Sequence, residues 1–202
     1  MQLVGMLDSP YVRRAAISLR LLGVPFAHQS LSVFSTFAQF REINPVVKAP
    51  TLVCDDGGVL MDSTLIIDYA QALSGRSLMP ADPVQRLRAL RLTGLALAAC
   101  EKTVQIVYEH NLRPAEKLHQ PWVDRVRSQL MAAYAALESD VAAAPLAAQE
   151  HTMTQAGVST AVAWSFTQLM LPELVSPADF PALAAYAAQA ESLPVFLGAP
   201  QA

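Results

Sequence analysis

Strand signals in this chain stop near residue 78, and that change of pattern constrains the fold more than any other feature. Before it, short apolar runs alternate with helical stretches. "QLVGML" opens as a strand. Pro10 to Leu22 reads as a helix, started by Ser9 and Pro10 and stopped by Gly23, with Pro25 just beyond. "FAHQSL" reads as a second strand, and "FSTFAQFREI" as a short helix or turn ended by Asn44-Pro45. "TLVC" and "GVLM" flank "DDGG", a hairpin signal, and Ser63 to Leu73 is again helical, closed by Gly75. The order β-α-β-α-β-β-α predicts an α/β domain with a mixed sheet over residues 1–78. A linker over 79–84 follows. Beyond it, alanine-rich helical patterns cover about 84–110, 121–141, 155–169 and 180–189. They predict an all-α domain over 85–202.

Composition narrows the class. With 53% hydrophobic and 15% charged residues, the chain has material for well-filled cores and does not read as disordered. A net charge of −3 argues against a general nucleic-acid binder. Cys54 and Cys100 make neither a disulfide framework nor a CxxC, which suits a reducing, cytoplasmic setting. The first basic residue, Arg13, comes after the apolar start and after Asp8, so no signal peptide is expected. The uncharged run Thr152 to Pro172 carries too many hydroxyl and amide side chains for a membrane span and reads as a buried helix. The four histidines have no metal-ligand spacing, and no GxGxxG or P-loop occurs, so neither a metal nor a nucleotide is expected.

Two helix starts carry the chemistry. Ser9 stands before Pro10 as an N-cap, where its oxygen can accept from a backbone N–H or its hydroxyl can hold an anion. Asp62 and Ser63 open the later helix. Ser63 reads as its N-cap, and the exposed N–H groups there suit a carboxylate. Arg13 and Arg14 sit in the first turns of their helix, against the dipole preference. They read as solvent-facing, structural or interface residues, with a use of at least one of them in the anion field as the alternative.

At "SPYVRRAAISLRLLG" and "NPVVKAPTLVCDDGGVLMDSTLIIDY" the chain resembles a cytosolic glutathione transferase, a bacterial-type member with an N-terminal serine. The resemblance spans nearly the whole length and implies a thioredoxin-like N-terminal domain followed by an all-α C-terminal domain. It implies that Ser9 is the catalytic hydroxyl that activates the glutathione thiol. It also implies that Lys48 reaches a glutathione carboxylate and that Ala49 pairs its backbone with the cysteinyl part. Pro50 is implied as a cis-proline, and Asp62 and Ser63 as the pair that holds the γ-glutamyl end. A homodimer is implied as well. Where dithiol redox proteins carry CxxC, this chain has "SPYV", so it has no disulfide to cycle there.

Glutathione enters as substrate, and the second substrate is expected to be a small hydrophobic electrophile. Met6, Tyr11, Tyr108, Trp164, Phe166 and Met170 are candidate contacts for it, although such side chains at helical spacing also build plain core. Transfer, isomerisation and peroxide reduction all use the same thiolate, so the sequence leaves them open. A non-catalytic interaction module on this fold is the rival from another class. One departure stands out. The family usually opens a central C-terminal helix with a hydroxyl-capped box ending in Asp, and here the matching stretch is "TQAG", Thr154 to Gly157.

Overall fold

The computed structural model describes residues 1–201. By its internal contacts the chain divides into two units: Met1–Leu78 together with the C-terminal segment from Ser192, and Met79–Glu191.

The first unit is built on four short strands: β1 (Gln2–Val4), β2 (Ala27–Gln29), β3 (Thr51–Val53) and β4 (Val59–Met61). Their order in the sheet is β2-β1-β3-β4. β1 and β2 run parallel, with Leu3 opposite His28, while β1–β3 and β3–β4 are antiparallel, with Leu3 opposite Leu52 and Leu52 opposite Leu60. The parallel pair is joined by α1 (Pro10–Leu22), as a parallel connection requires a crossover. The sheet is therefore mixed, as the sequence predicts. α2 (Phe37–Ile43) follows β2, and α3 (Ser63–Ser74) follows β4 and packs against α1. Leu3, Val4, Val12, Ile17, Leu19, Phe40, Leu52 and Ile66 are fully buried and form the apolar interior.

β1 is shorter than "QLVGML" because the chain turns at Gly5, whose φ is +139°. A Cβ there would sit 2.6 Å from Val12 Cγ2 and 3.1 Å from the Ala49 Cβ. Only glycine lets the strand end approach α1 and the 44–51 loop this closely. α1 ends where expected: Gly23 adopts the left-handed conformation (φ 72°) and donates to Arg20 O.

By its internal contacts the C-terminal segment from Ser192 groups with the first unit. Arg13 accounts for this. It is 2% exposed, its Nε donates to Ala199 O at 2.8 Å, and its guanidinium lies 5.6 Å from the centre of the Phe196 ring. Phe196 sits in α8 (Pro194–Leu197), a single turn too short to show a helical period in the sequence.

The second unit is all helical: α4 (Pro83–Asn111), α5 (Gln120–Ala143), α6 (Gln155–Met170) and α7 (Pro181–Glu191), with 3-10 turns at Ala115–Lys117 and Pro177–Asp179. α4 packs against α5 and α6, and α7 packs against α5 and α6. Asp82 caps α4 by accepting from Gln85 N at 2.9 Å. Asp140 on α5 receives Arg88 at 2.7 Å and Arg91 at 2.6 Å from α4. Glu138, also on α5, accepts from Ala182 N and Leu183 N, so a carboxylate from α5 caps the start of α7.

α6 is the uncharged run from the sequence, buried along almost its whole length. Thr167 is satisfied inside, with Tyr134 Oη contacting Thr167 Oγ1 at 2.6 Å and Ala163 O at 2.9 Å and Thr103 pairing with Thr167 at 2.8 Å, while the buried Thr160 Oγ1 has no hydrogen-bond partner among the described residues. Among the described residues no helix is long and apolar enough to cross a membrane.

Thr154 caps α6, accepting from Gly157 N at 3.3 Å, and the flanking Met153 and Val158 are both buried. The missing acid has a steric reason. A side chain at Gly157 would overlap the hydroxyl oxygen of Tyr186 on α7. That hydroxyl is buried and has no hydrogen-bond partner among the described residues.

Candidate active site

Ser9 lies between the end of β1 and the start of α1. Its backbone is extended (φ −68°, ψ 123°), and its carbonyl accepts the first helical bond from Arg13 N at 2.9 Å. Its hydroxyl accepts from Val12 N at 3.5 Å, the long limit of a hydrogen bond. The cap is thus loosely held, and the half-buried hydroxyl keeps its proton for another acceptor. Met6 and Tyr11, flanking it in sequence, are also half-buried.

The loop carrying Lys48, Ala49 and Pro50 is folded by a buried polar network. Asn44 Nδ2 donates to Thr51 Oγ1 at 2.8 Å, Thr51 Oγ1 donates to Lys48 O at 2.7 Å, and Val46 N donates to Asn44 Oδ1 at 3.0 Å. Asn44 and Thr51 are 4% and 0% exposed. The Ala49–Pro50 peptide bond is cis. Pro50 is buried, Ala49 is half-buried and Lys48 is exposed.

At the start of α3 the roles differ from the sequence reading. The N-cap is Asp62, whose Oδ1 accepts from Thr64 N at 2.9 Å, and Ser63 is the first helical residue. The reason is backbone geometry. Asp62 has φ +75°, a conformation outside the helix, so the helix begins one residue later. The Ser63 side chain turns inward and is 2% exposed, and its oxygen accepts from Arg14 Nη1 at 2.8 Å. Lys48 Nζ lies 3.5 Å from Asp62 Oδ2, a half-exposed ion pair that links the two segments.

Val47 (φ +52°) and Asp62 (φ +75°) are the non-glycine residues with positive φ among those described. Each costs about 1–3 kcal/mol of backbone strain. One immediately precedes Lys48-Ala49-Pro50 and the other immediately precedes Ser63. A positive-φ residue therefore stands at the head of each of the two segments that the sequence singles out.

Asn44, Thr51 and Thr64 support these segments without having been singled out in the sequence, and Arg14 was read there mainly as a structural or interface residue. Asn44 was read only as part of an Asn-Pro turn, and a buried arginine leaves no periodic mark. In the second unit, Tyr108 is 42% exposed and Met170 is half-buried. Trp164 and Phe166 are buried. The Trp164 ring packs edge-on to Tyr134 with centroids 5.6 Å apart and lies 6.1 Å from Phe180. Among the described residues no group of three His, Cys, Asp or Glu side chains is placed to hold a metal ion.

This arrangement can hold an extended peptide-like ligand on a backbone edge and seat a carboxylate on a helix N-terminus. It can also give a thiolate a hydroxyl donor.

Comparison with known proteins agrees with the fold. Residues 3–77 match the glutathione S-transferase N-terminal domain model. A crystal structure of a glutathione transferase family member from Pseudomonas fluorescens Pf-5, with bound S-(propanoic acid)-glutathione, is 32% identical. It covers 98% of both chains with a TM-score of 0.84. A glutathione S-transferase from Methylobacterium radiotolerans, complexed with glutathione sulfonate, superposes with a TM-score of 0.90 over 100% of this chain and 95% of its own, at 24% identity. Among curated relatives, the uncharacterized GST-like protein YibF of Escherichia coli is 28% identical over 131 residues, a match that spans 64% of each protein. With both units accounted for and a full-length relative at this identity, the chain belongs to the glutathione transferase family.

Proposed function

We propose that the protein is a glutathione transferase in which the first unit binds glutathione and the Ser9 hydroxyl stabilises its thiolate for attack on a hydrophobic electrophile. The observation that carries this reading is the slack cap at Ser9. The hydroxyl stands at a helix N-terminus and only accepts, over a 3.5 Å contact from Val12 N, so its proton is left to be donated to sulfur. A thiol of pKa about 8.5 is drawn down by a helix N-terminus and by a hydrogen bond to its charged form.

In this reading Ala49 presents its backbone to the cysteinyl part of the ligand, beside the cis-Pro50 bond. The γ-glutamyl end meets Asp62 and Ser63, with Asp62 facing the α-ammonium group and the start of α3 facing the α-carboxylate. Lys48 takes the other carboxylate, exchanging its exposed pairing with Asp62 for the ligand. Sulfur attacks the electrophilic carbon, a carbon–sulfur bond forms, and the leaving group departs with its electron pair, or a proton is taken up where attack is on a double bond. Ser9 forms no covalent bond. The acceptor is a small apolar electrophile. The active form is a cytoplasmic homodimer.

The test is a calorimetric titration of glutathione in buffers of different ionisation enthalpy, followed by a screen of aryl halides, enones and peroxides. Micromolar to millimolar binding with proton release and turnover of one class is the expected result. A folded protein that binds no glutathione would overturn the reading and favour an interaction module.

A further inference from the structure

Arg14 is a buried cation placed where a cation is costly. It is 2% exposed and lies against the N-terminus of α3, which is itself the positive end of a helix dipole. Its Nη1 donates to Ser63 Oγ at 2.8 Å and to Thr64 Oγ1 at 3.1 Å, so one guanidinium group grips the first two residues of the helix. We infer that Arg14 is a positioning residue for glutathione: it fixes the Ser63 and Thr64 hydroxyls as donors to the ligand's γ-glutamyl α-carboxylate. The inference rests on the glutathione-binding reading above and adds to it a residue and a mechanism.

A hydroxyl has one proton and two lone pairs. When its oxygen accepts from Arg14, its proton must point elsewhere, away from the guanidinium. At both residues the hydroxyl thus becomes a donor. Those donors are needed here because Asp62 Oδ1 already takes the Thr64 backbone N–H at 2.9 Å, removing one of the usual anion-binding groups of a helix start. Lys48 does not fill the gap, because it is an exposed side chain paired with Asp62 at 3.5 Å. The guanidinium is screened from water and adds its charge behind the two hydroxyls, where bulk salt weakens it little. Arg14 is in this way useful to a bound anion without touching it. The same geometry explains its neighbour: Arg13, one residue earlier, faces the C-terminal segment, so the adjacent arginines serve two different contacts.

The experiment compares S-methylglutathione with its analogue lacking only the α-carboxylate, γ-aminobutyryl-S-methylcysteinylglycine. Binding of each is measured by calorimetry to wild type, Arg14→Gln, Arg14→Lys, and the Ser63→Ala/Thr64→Val double variant. Wild type should prefer S-methylglutathione by about tenfold or more, as hydrogen bonds to a charged group supply. Arg14→Gln should bring S-methylglutathione down to the affinity of the analogue while leaving the analogue's own affinity within twofold. Arg14→Lys should restore part of the preference, since an ammonium supplies the charge without the fork. Equal weakening of both ligands would mean a merely structural role and overturn the proposal, as would an Arg14→Gln variant that keeps the preference. If Arg14→Gln does not fold, Arg14→Lys and the double variant decide together: a preference weakened in the first and lost in the second supports the inference, and an undiminished preference in either overturns it. A wild type that binds neither ligand would sink the glutathione reading itself, a result distinct from any failure of Arg14.

Discussion

The contact between Gly157 and Tyr186 yields a change of sign that a simple propensity argument would not. Gly157 lies in the first turn of α6, where alanine is favoured over glycine by about 1 kcal/mol. A methyl group there would overlap the buried Tyr186 hydroxyl oxygen. Relieving such an overlap inside a filled core costs about 1–3 kcal/mol, so Gly157→Ala should lower stability by up to about 2 kcal/mol. Take away that one oxygen, as in Tyr186→Phe, and the nearest remaining atoms are Met153 Cγ at 3.5 Å and Cζ of the ring at 3.6 Å. Both are ordinary van der Waals distances.

In the Tyr186→Phe background the same substitution should stabilise by about 1 kcal/mol, a coupling of about 1–3 kcal/mol between the two sites. Tyr186→Phe alone should be neutral or mildly stabilising, because the hydroxyl it deletes is buried without a partner. Urea unfolding of the four proteins, followed by helical circular dichroism, gives the midpoints and slopes needed. If Gly157→Ala shifts the midpoint in the same direction in both backgrounds, the steric account of the missing acid is wrong.

Three further outcomes follow from particular contacts. Burial pushes the Tyr134 and Tyr186 phenols well above their usual range, so both stay neutral in the folded state. The stability this gives is complete below the unfolded value of about 10 and is lost as pH rises beyond it. Base titration followed by phenolate absorbance should show these two of the five tyrosines ionising only with loss of helical signal, and early ionisation of all five would contradict it. Arg13→Gln removes the bond to Ala199 O and the guanidinium beside Phe196, with a loss of about 1.5–3 kcal/mol. Amides of the C-terminal segment should exchange faster than those of α1, and unchanged protection would refute the pinning. Ser9→Ala should cost less than about 1 kcal/mol of stability, because its capping contact is long, while lowering turnover by at least tenfold.

Element types were legible in the sequence wherever local chemistry sets them. Ser9-Pro10 and Gly23 bound α1 at both ends, and "DDGG" marks the β3–β4 hairpin through Gly57, whose φ is +86°. The long helices show their periodicity, so their ends fall within a few residues of expectation. Long-range contacts were not legible. Nothing in "VRRAA" says that Arg13 reaches Ala199 while Arg14 reaches Ser63, since neither partner is close in sequence. The cap of α3 shifted from Ser63 to Asp62 because a positive φ at a non-glycine residue is imposed by the surrounding fold rather than by local preference. "TQAG" read as a weakened capping box, and its explanation lay in a tyrosine from another helix.

The central claim is that Ser9 holds a thiolate. The most direct measurement is the apparent pKa of the glutathione thiol when bound, read from ultraviolet thiolate absorbance against pH, in wild type and in Ser9→Ala. The account predicts a bound value at least about one unit below the free thiol's roughly 8.5 in wild type, equivalent to about 1.4 kcal/mol, and a return toward the free value in the variant. A bound thiol that titrates at its free value in wild type, or one whose depressed value survives Ser9→Ala unchanged, would contradict it.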